Sequence, residues 1–208
     1  MPTAAILAGG RAVRFQGRDK SALTVGGQSI LERQIAALSG LVDDILLVGA
    51  RMGAGVFSSL PPAGQSPRPH VRVVPDRIAG CGPLGGLDAA LAAAKDDAVV
   101  VVACDMPFVT GAFLGRLLEL TRDAEAVVPR TERGYHPLCA AYTRGCRAAV
   151  SHRLADRRLK MLDLLEDLRV RELTLAEIET FGSAHRLLAN VNTPADYEEF
   201  ETPQAHKA

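Results

Sequence analysis

The fourteen residues from Leu7 to Lys20, LAGGRAVRFQGRDK, contain four cations and three glycines. Glycine lets an anion approach the backbone with no Cβ in the way and leaves N–H groups free to point at its oxygens, while Arg and Lys neutralise the charge that remains. The segment therefore reads as a cradle for a phosphate-bearing ligand. The alternative is a basic turn that only joins a strand to a helix. Neither G-x-x-x-x-G-K-[ST] nor G-x-G-x-x-G is present, so the residues indicate an anion without saying which.

A second group is acidic. Asp105, in Cys104-Asp105-Met106-Pro107, closes the longest apolar run of the chain, Ala98 to Cys104. A carboxylate beside bound phosphates is repelled unless a divalent cation lies between them, and Mg²⁺ takes one or two carboxylates together with phosphate oxygens and water. Asp105 is thus a candidate Mg²⁺ ligand; the competing role is to cap the turn that Pro107 shapes. Asp76 ends an earlier apolar run in the same manner, just before the glycine-rich Gly80-Cys81-Gly82-Pro83-Leu84-Gly85-Gly86. His136 and the basic trio Arg157, Arg158 and Lys160 could meet an acidic second substrate. Their plainer roles are a packed histidine and a solvated cationic face.

The elements that must position these groups alternate between short β-branched runs and stretches of helical period, the pattern of an α/β protein with a mostly parallel sheet and helices on both faces. Strands are expected at Ala4–Leu7, Asp44–Val48, Val71–Val74, Ala98–Ala103, Ala126–Val128 and Pro137–Tyr142. Helices are expected after the capping candidate Ser29 as far as Gly40, and over Leu84–Ala94, Ala112–Leu120, Ala148–Leu154 and Leu159–Leu168. In the last of these, Leu162, Leu164, Leu165 and Leu168 read as a core stripe, as do Leu117, Leu118 and Leu120. The stretch from Met52 to Pro69 reads as a surface loop, rich in Gly, Ser and Pro. In such sheets ligands bind beyond the carboxyl ends of the strands, where the glycine segment and both aspartates would emerge.

The 208 residues suit one domain over residues 1–200 with a frayed tail at 201–208. With 24 Lys plus Arg against 24 Asp plus Glu there is no global cationic field to gather nucleic acid or anionic membrane, so any phosphate site is local. The longest apolar run is far short of the roughly 20 residues that cross a bilayer. The first residues lack the pattern of a secretory signal, and a cytoplasmic location is expected. Cys81, Cys104, Cys139 and Cys146 form no C-x-x-C pair and read as buried free thiols.

Taken together, LAGGRAVRFQGRDK, GPLGG, CDMPF and NVNTPADY resemble, in order and spacing, the MobA family of molybdenum cofactor guanylyltransferases, over roughly Ala4 to Phe200. The resemblance implies a Rossmann-like nucleotidyltransferase fold. It also implies an enzyme that uses GTP and Mg²⁺ to place GMP on the terminal phosphate of molybdenum-loaded molybdopterin, releasing pyrophosphate. By this resemblance Leu7, Ala8, Gly9 and Gly10 line the guanine and ribose end of the pocket, and Arg14 and Lys20 meet the triphosphate. Gly82, Pro83, Leu84, Gly85 and Gly86 close over the base, Asp76 contacts the nucleotide, and Asp105 holds the metal. Asn190 and Asn192 belong to the pterin or product side, although Asn190-Val191-Asn192-Thr193-Pro194 also reads as a helix start capped by Thr193. Transient contact with cofactor-handling or acceptor enzymes is implied as well. The chain departs from the family pattern at Ala12, Phe15 and Gln16, where serine, methionine and glycine are common, and no asparagine follows the second strand in Val48-Gly49-Ala50-Arg51. The rival readings are a nucleotidyltransferase with another base or acceptor, such as a pterin cytidylyltransferase or sugar-phosphate guanylyltransferase, and a noncatalytic GTP-binding adaptor.

Overall fold

The structure, a computed structural model, describes residues 2–8, 28–49, 69–191 and 196, and the backbone of 14–15, 18–19 and 24–25. The main sheet is formed by β1 (Thr3–Leu7), β2 (Asp44–Val48), β3 (His70–Val74), β4 (Ala98–Ala103), β5 (Ala126–Thr131), β6 (Gly134–Tyr135), β7 (Cys139–Thr143) and β8 (Val170–Leu173). Its order is β6-β5-β7-β4-β1-β2-β3, with β8 also paired to β5. It is parallel across β4, β1, β2 and β3, and where β8 meets β5. It turns antiparallel where β7 joins β4 and β5 and in the β5–β6 hairpin. β4 and β1 lie in the middle, which is why Val99 to Val102 and Ala4 to Ile6 are wholly buried and apolar on both faces.

Alternation along β1 divides the core. Ala4 and Ile6 face one side, with Leu31 and Leu38 of α1 (Ile30–Leu38) and Phe113, Leu114 and Leu117 of α3 (Gly111–Glu119). Ala5 and Leu7 face the other, with Leu84, Leu87 and Leu91 of α2 (Gly82–Ala93) and Val150 and Leu154 of α4 (Arg147–Ala155). Helices therefore cover both faces. α1 starts at a capping box, Glu32 N–H donating to Ser29 Oγ at 3.2 Å and Ser29 N–H to Glu32 Oε2 at 2.7 Å, and Gly40 at φ +88° turns the chain away after it. No helix among the described residues is long and apolar enough to cross a membrane.

Two expectations need correction. The Leu159–Leu168 helix is only the single turn α5 (Met161–Leu164) followed by a 3₁₀ turn, Leu165–Asp167. Leu162 is 54% exposed instead of buried, because at 100° per residue it lies on the face opposite Leu164. The short strands β6 and β8 were not legible as strands; β8, Val-Arg-Glu-Leu, is half-buried until Leu173. The one-turn α7 (Ala184–Leu187) follows α6 (Leu175–Glu179), which is capped by Thr174. All four cysteines are free thiols; Cys81, Cys139 and Cys146 are buried, while Cys104 is only partly so.

Candidate active site

Register decides which residues meet. Leu7 pairs with both Val48 and Ala103, and Val48 pairs with Val74, so the four parallel strands end in one row. The ends are tied together beyond the row. Ala8 N–H donates to Val48 O at 2.8 Å, Cys104 N–H to Leu7 O at 3.1 Å, and Gly49 N–H to Val74 O at 3.0 Å. The segment that begins at Ala8, Asp105 and Asp76 thus leave one edge of the sheet. They are not equally close. β4 adjoins β1, whereas β3 lies three strands from β4, about 14 Å at ~4.8 Å per strand. Asp76 is exposed, two residues beyond the end of β3.

Asp105 occupies the more protected position. It is half-buried with Oδ1 shielded from solvent. Three bonds fix its turn: Met106 N–H donates to Ala103 O at 3.2 Å, and the buried Gln34 of α1 donates through Nε2 to Ala103 O at 2.7 Å and to Met106 O at 3.0 Å. The same turn receives the late asparagine motif, because Val191 N–H donates to Asp105 O at 2.8 Å. Gln34 was not recognised as a site residue; the available signal was a polar group on the buried stripe of α1.

Gly82 to Gly86 form no loop. They are the first turns of α2, where Gly82 at φ +56° and Pro83 start the helix and are exposed, while Leu84 is fully buried in the core. The glycines permit close packing. A Cβ on Gly85 would lie 2.8 Å from Cys81 Cβ, and one on Gly86 would lie 3.2 Å from Leu7 Cδ2. The start of α2 is thereby seated on the end of β1. The groups left to meet a ligand are its exposed Gly82 and Pro83 and its terminal N–H groups, which favour an electron-rich partner. Leu7 is buried beneath them.

Beside Asp105 lies a cavity of about 570 Å³, whose walls include Pro83, Met106, His136, Lys160, Leu162 and Asn190. It joins the start of α2, the turn after β4, the strand entry at His136, and the α5 segment. Leu162 is exposed because it faces this space. His136 Nε2 lies 2.9 Å from Thr131 Oγ1, and burial, with a smaller push from Arg133, holds its pKa below the usual histidine value. It is neutral at pH 7. The basic trio is divided: Lys160 reaches the cavity, but Arg157 Nη1 donates to Cys81 Sγ at 3.6 Å. A second hollow of about 440 Å³, bordered by Ala37, Gly40, Leu41, Gly111 and Phe181, contains none of the candidate residues.

Among the described residues no group of three or more His, Cys, Asp or Glu is placed to hold a metal ion by itself. Gly9, Gly10, Lys20, Asn192 and Thr193 lie outside the described residues, as do Ala12, Gln16, positions 52–68 of the Gly- and Pro-rich stretch, and the tail from 201. Arg14 pairs with Asp19, and Phe15 with Arg18, through their backbones.

The MobA-like NTP transferase domain model matches residues 4–172. A probable molybdenum cofactor guanylyltransferase of Pelotomaculum thermopropionicum is 33% identical over 194 residues, 93% of this chain and 89% of the relative. One of the same description from Carboxydothermus hydrogenoformans is 32% identical over 196 residues, 94% of this chain and 93% of the relative. The crystal structure of molybdopterin-guanine dinucleotide biosynthesis protein A from Archaeoglobus fulgidus superposes with a TM-score of 0.75 at 24% identity, covering 95% of each chain, and shares the fold. The chain belongs to the MobA-like NTP transferase family.

Proposed function

We propose that this protein transfers GMP from GTP to the terminal phosphate of molybdenum-loaded molybdopterin and releases pyrophosphate. The observation that carries the reading is the convergence of the β1 end, the start of α2, Asp105 and Asn190 at one edge of the sheet, around a cavity large enough for a second substrate. The 33% identity to a probable molybdenum cofactor guanylyltransferase supports the same chemistry.

In this reading GTP lies across the carboxyl ends of β1 and β4. Its base is at the exposed first turn of α2, with Gly82 and Pro83; Leu7, Ala8, Gly9 and Gly10 line the guanine and ribose end, and its triphosphate is neutralised by Arg14 and Lys20. Asp76, at the far corner of the row, serves the nucleoside. The acceptor occupies the cavity, where Lys160 supplies positive charge, and Asn190 and the neutral His136 supply hydrogen bonds. Asn192 belongs to the same side.

The acceptor is a phosphate monoester, whose second pKa of about 6 leaves it largely a dianion at neutral pH, so no general base is required. Its oxygen forms a bond to the α-phosphorus of GTP as the bond from that phosphorus to the bridging oxygen breaks and pyrophosphate departs. Catalysis of such a step rests on positioning and charge neutralisation. Asp105 fits a Mg²⁺ that takes its other ligands from phosphate and water, since it offers one shielded carboxylate on a braced turn and no protein cage. When bound, Mg²⁺ neutralises phosphate charge. The protein would act in the cytoplasm, in contact with the enzymes that deliver or consume the cofactor.

The test is pyrophosphate release from GTP with Mg²⁺, with and without molybdenum-loaded pterin, and the mass of the product. Release that depends on the acceptor, with a product heavier by GMP, supports the reading. GTP binding without release indicates a noncatalytic adaptor, and release from CTP alone indicates a cytidylyltransferase.

A further inference from the structure

Arg157 is the one non-glycine among the described residues with a positive φ, +58°. An L-residue with a long side chain is uncommon in the left-handed region, and Arg157 stands just past the C-terminus of α4, where that conformation closes many helices. Here the turn is held by its own backbone, Arg157 N–H donating to Leu154 O at 3.2 Å and Arg158 N–H to Arg153 O at 2.9 Å. The turn sends the Arg157 guanidinium across to Cys81 Sγ, 76 positions away in sequence. Cys81 is buried at the N-cap of α2 and supplies no side-chain cap of its own, and the first turn of α2 packs directly on its Cβ through Gly85.

The far end of the same segment is fastened as well. Arg153, 0% exposed, donates through Nε to Asp167 Oδ2 at 2.5 Å. Between these two attachments lie Leu159 to Asp163, which line the cavity, and Pro83, two residues after Cys81, lines it from the start of α2. The Arg157 to Cys81 contact therefore ties together two segments that line the cavity.

We infer that Arg157 is a positioning residue, which fixes the wall carrying Lys160 and Leu162 at a set distance from the start of α2, and so holds the second substrate in line with the nucleotide. This rests on the proposed reaction for its kinetic consequence, but the attachment itself is testable without turnover. It differs from the electrostatic role expected of a basic trio: Arg157 acts through Cys81 and touches no substrate.

The experiment compares Arg157→Gly, which retains the left-handed turn and removes the guanidinium, with Cys81→Ala and the double variant. KM for acceptor, KM for GTP, melting temperature and the alkylation rate of Cys81 are measured in each available background. Misplacing one wall predicts a rise of about tenfold in the acceptor KM with the GTP KM within about twofold. It also predicts no loss of melting temperature in Arg157→Gly, faster alkylation of Cys81 in that variant, and a double variant no worse than either single one. Unchanged acceptor KM and alkylation in Arg157→Gly would overturn the inference, as would effects in the two single variants that simply add. If the wild type transfers no nucleotide at all, the proposed function fails, and the alkylation rates alone decide whether Arg157 fastens the two segments.

Discussion

Val191 N–H donates to the carbonyl oxygen of Asp105 at 2.8 Å, joining the last sequence motif of the chain to the end of its central strand. Because Gln34 braces the other side of that turn, Asp105 is held between α1 and the residue next to Asn190. A main chain fixed in this way delivers the Asp105 side chain from a set position at the sheet edge, and a preorganised charged group is what a phosphoryl-transfer site exploits.

Asp105→Ala is expected to reduce Mg²⁺-dependent pyrophosphate release by at least about 10²-fold, the scale of losing one preorganised electrostatic group. The melting temperature should stay near that of the parent. Release measured over a Mg²⁺ titration checks this, and full activity in the variant contradicts the metal assignment.

Gln34→Leu removes both donated bonds and leaves Met106 O buried without this donor, at a cost of about 1–3 kcal/mol. Urea unfolding should show the lower midpoint. The Mg²⁺ concentration giving half-maximal activity should rise in parallel, because the turn that carries Asp105 loosens.

Adding a methyl group to the start of α2 should be costly in a definite order. Gly85→Ala places Cβ 2.8 Å from Cys81 Cβ, where something must shift, and overpacking of this kind costs about 1–3 kcal/mol. Gly86→Ala meets the mobile end of Leu7 at 3.2 Å and should cost less. Melting temperature and GTP affinity should both follow that order, and equal effects would contradict the packing described.

The pH dependence of stability should carry the mark of His136. Burial and Arg133 depress its folded pKa, so the unfolded chain binds the proton more readily. The stabilisation is complete above the unfolded value of about 6.5 and is lost as pH falls from there through the depressed folded value. Between pH 8 and about 5, wild type should lose more stability than His136→Gln, and matching profiles would count against a half-buried imidazole with a depressed pKa.

The sequence revealed the parallel half of the fold well, because β1, β2 and β4 are short apolar runs with clear stops, and Ser29 with Glu32 marks a helix start. The β6 and β8 edges were missed because two to four half-buried residues carry too little periodicity. The misread Leu159–Leu168 segment is instructive for the same reason: its leucines occupy helical spacing, yet Leu162 is turned outward to line a cavity. The position of Asp105 at the edge of the sheet is legible from the apolar run before it. The helix expected from Leu84 begins two residues earlier, at Gly82, and the packing of Gly85 and Gly86 against Cys81 and Leu7 is a long-range fit that spacing does not encode. Gln34 and Arg157 act through contacts remote in sequence, which local pattern does not encode.

The central claim is that one edge of the sheet holds the nucleotide, and hydrogen exchange with and without GTP and Mg²⁺ tests it most directly. Protection should appear together in peptides covering residues 8–20, 80–86 and 104–107, and should be weak with CTP. Protection confined to the other hollow, around Ser39 to Leu41, or equal protection by both nucleotides, would contradict the account.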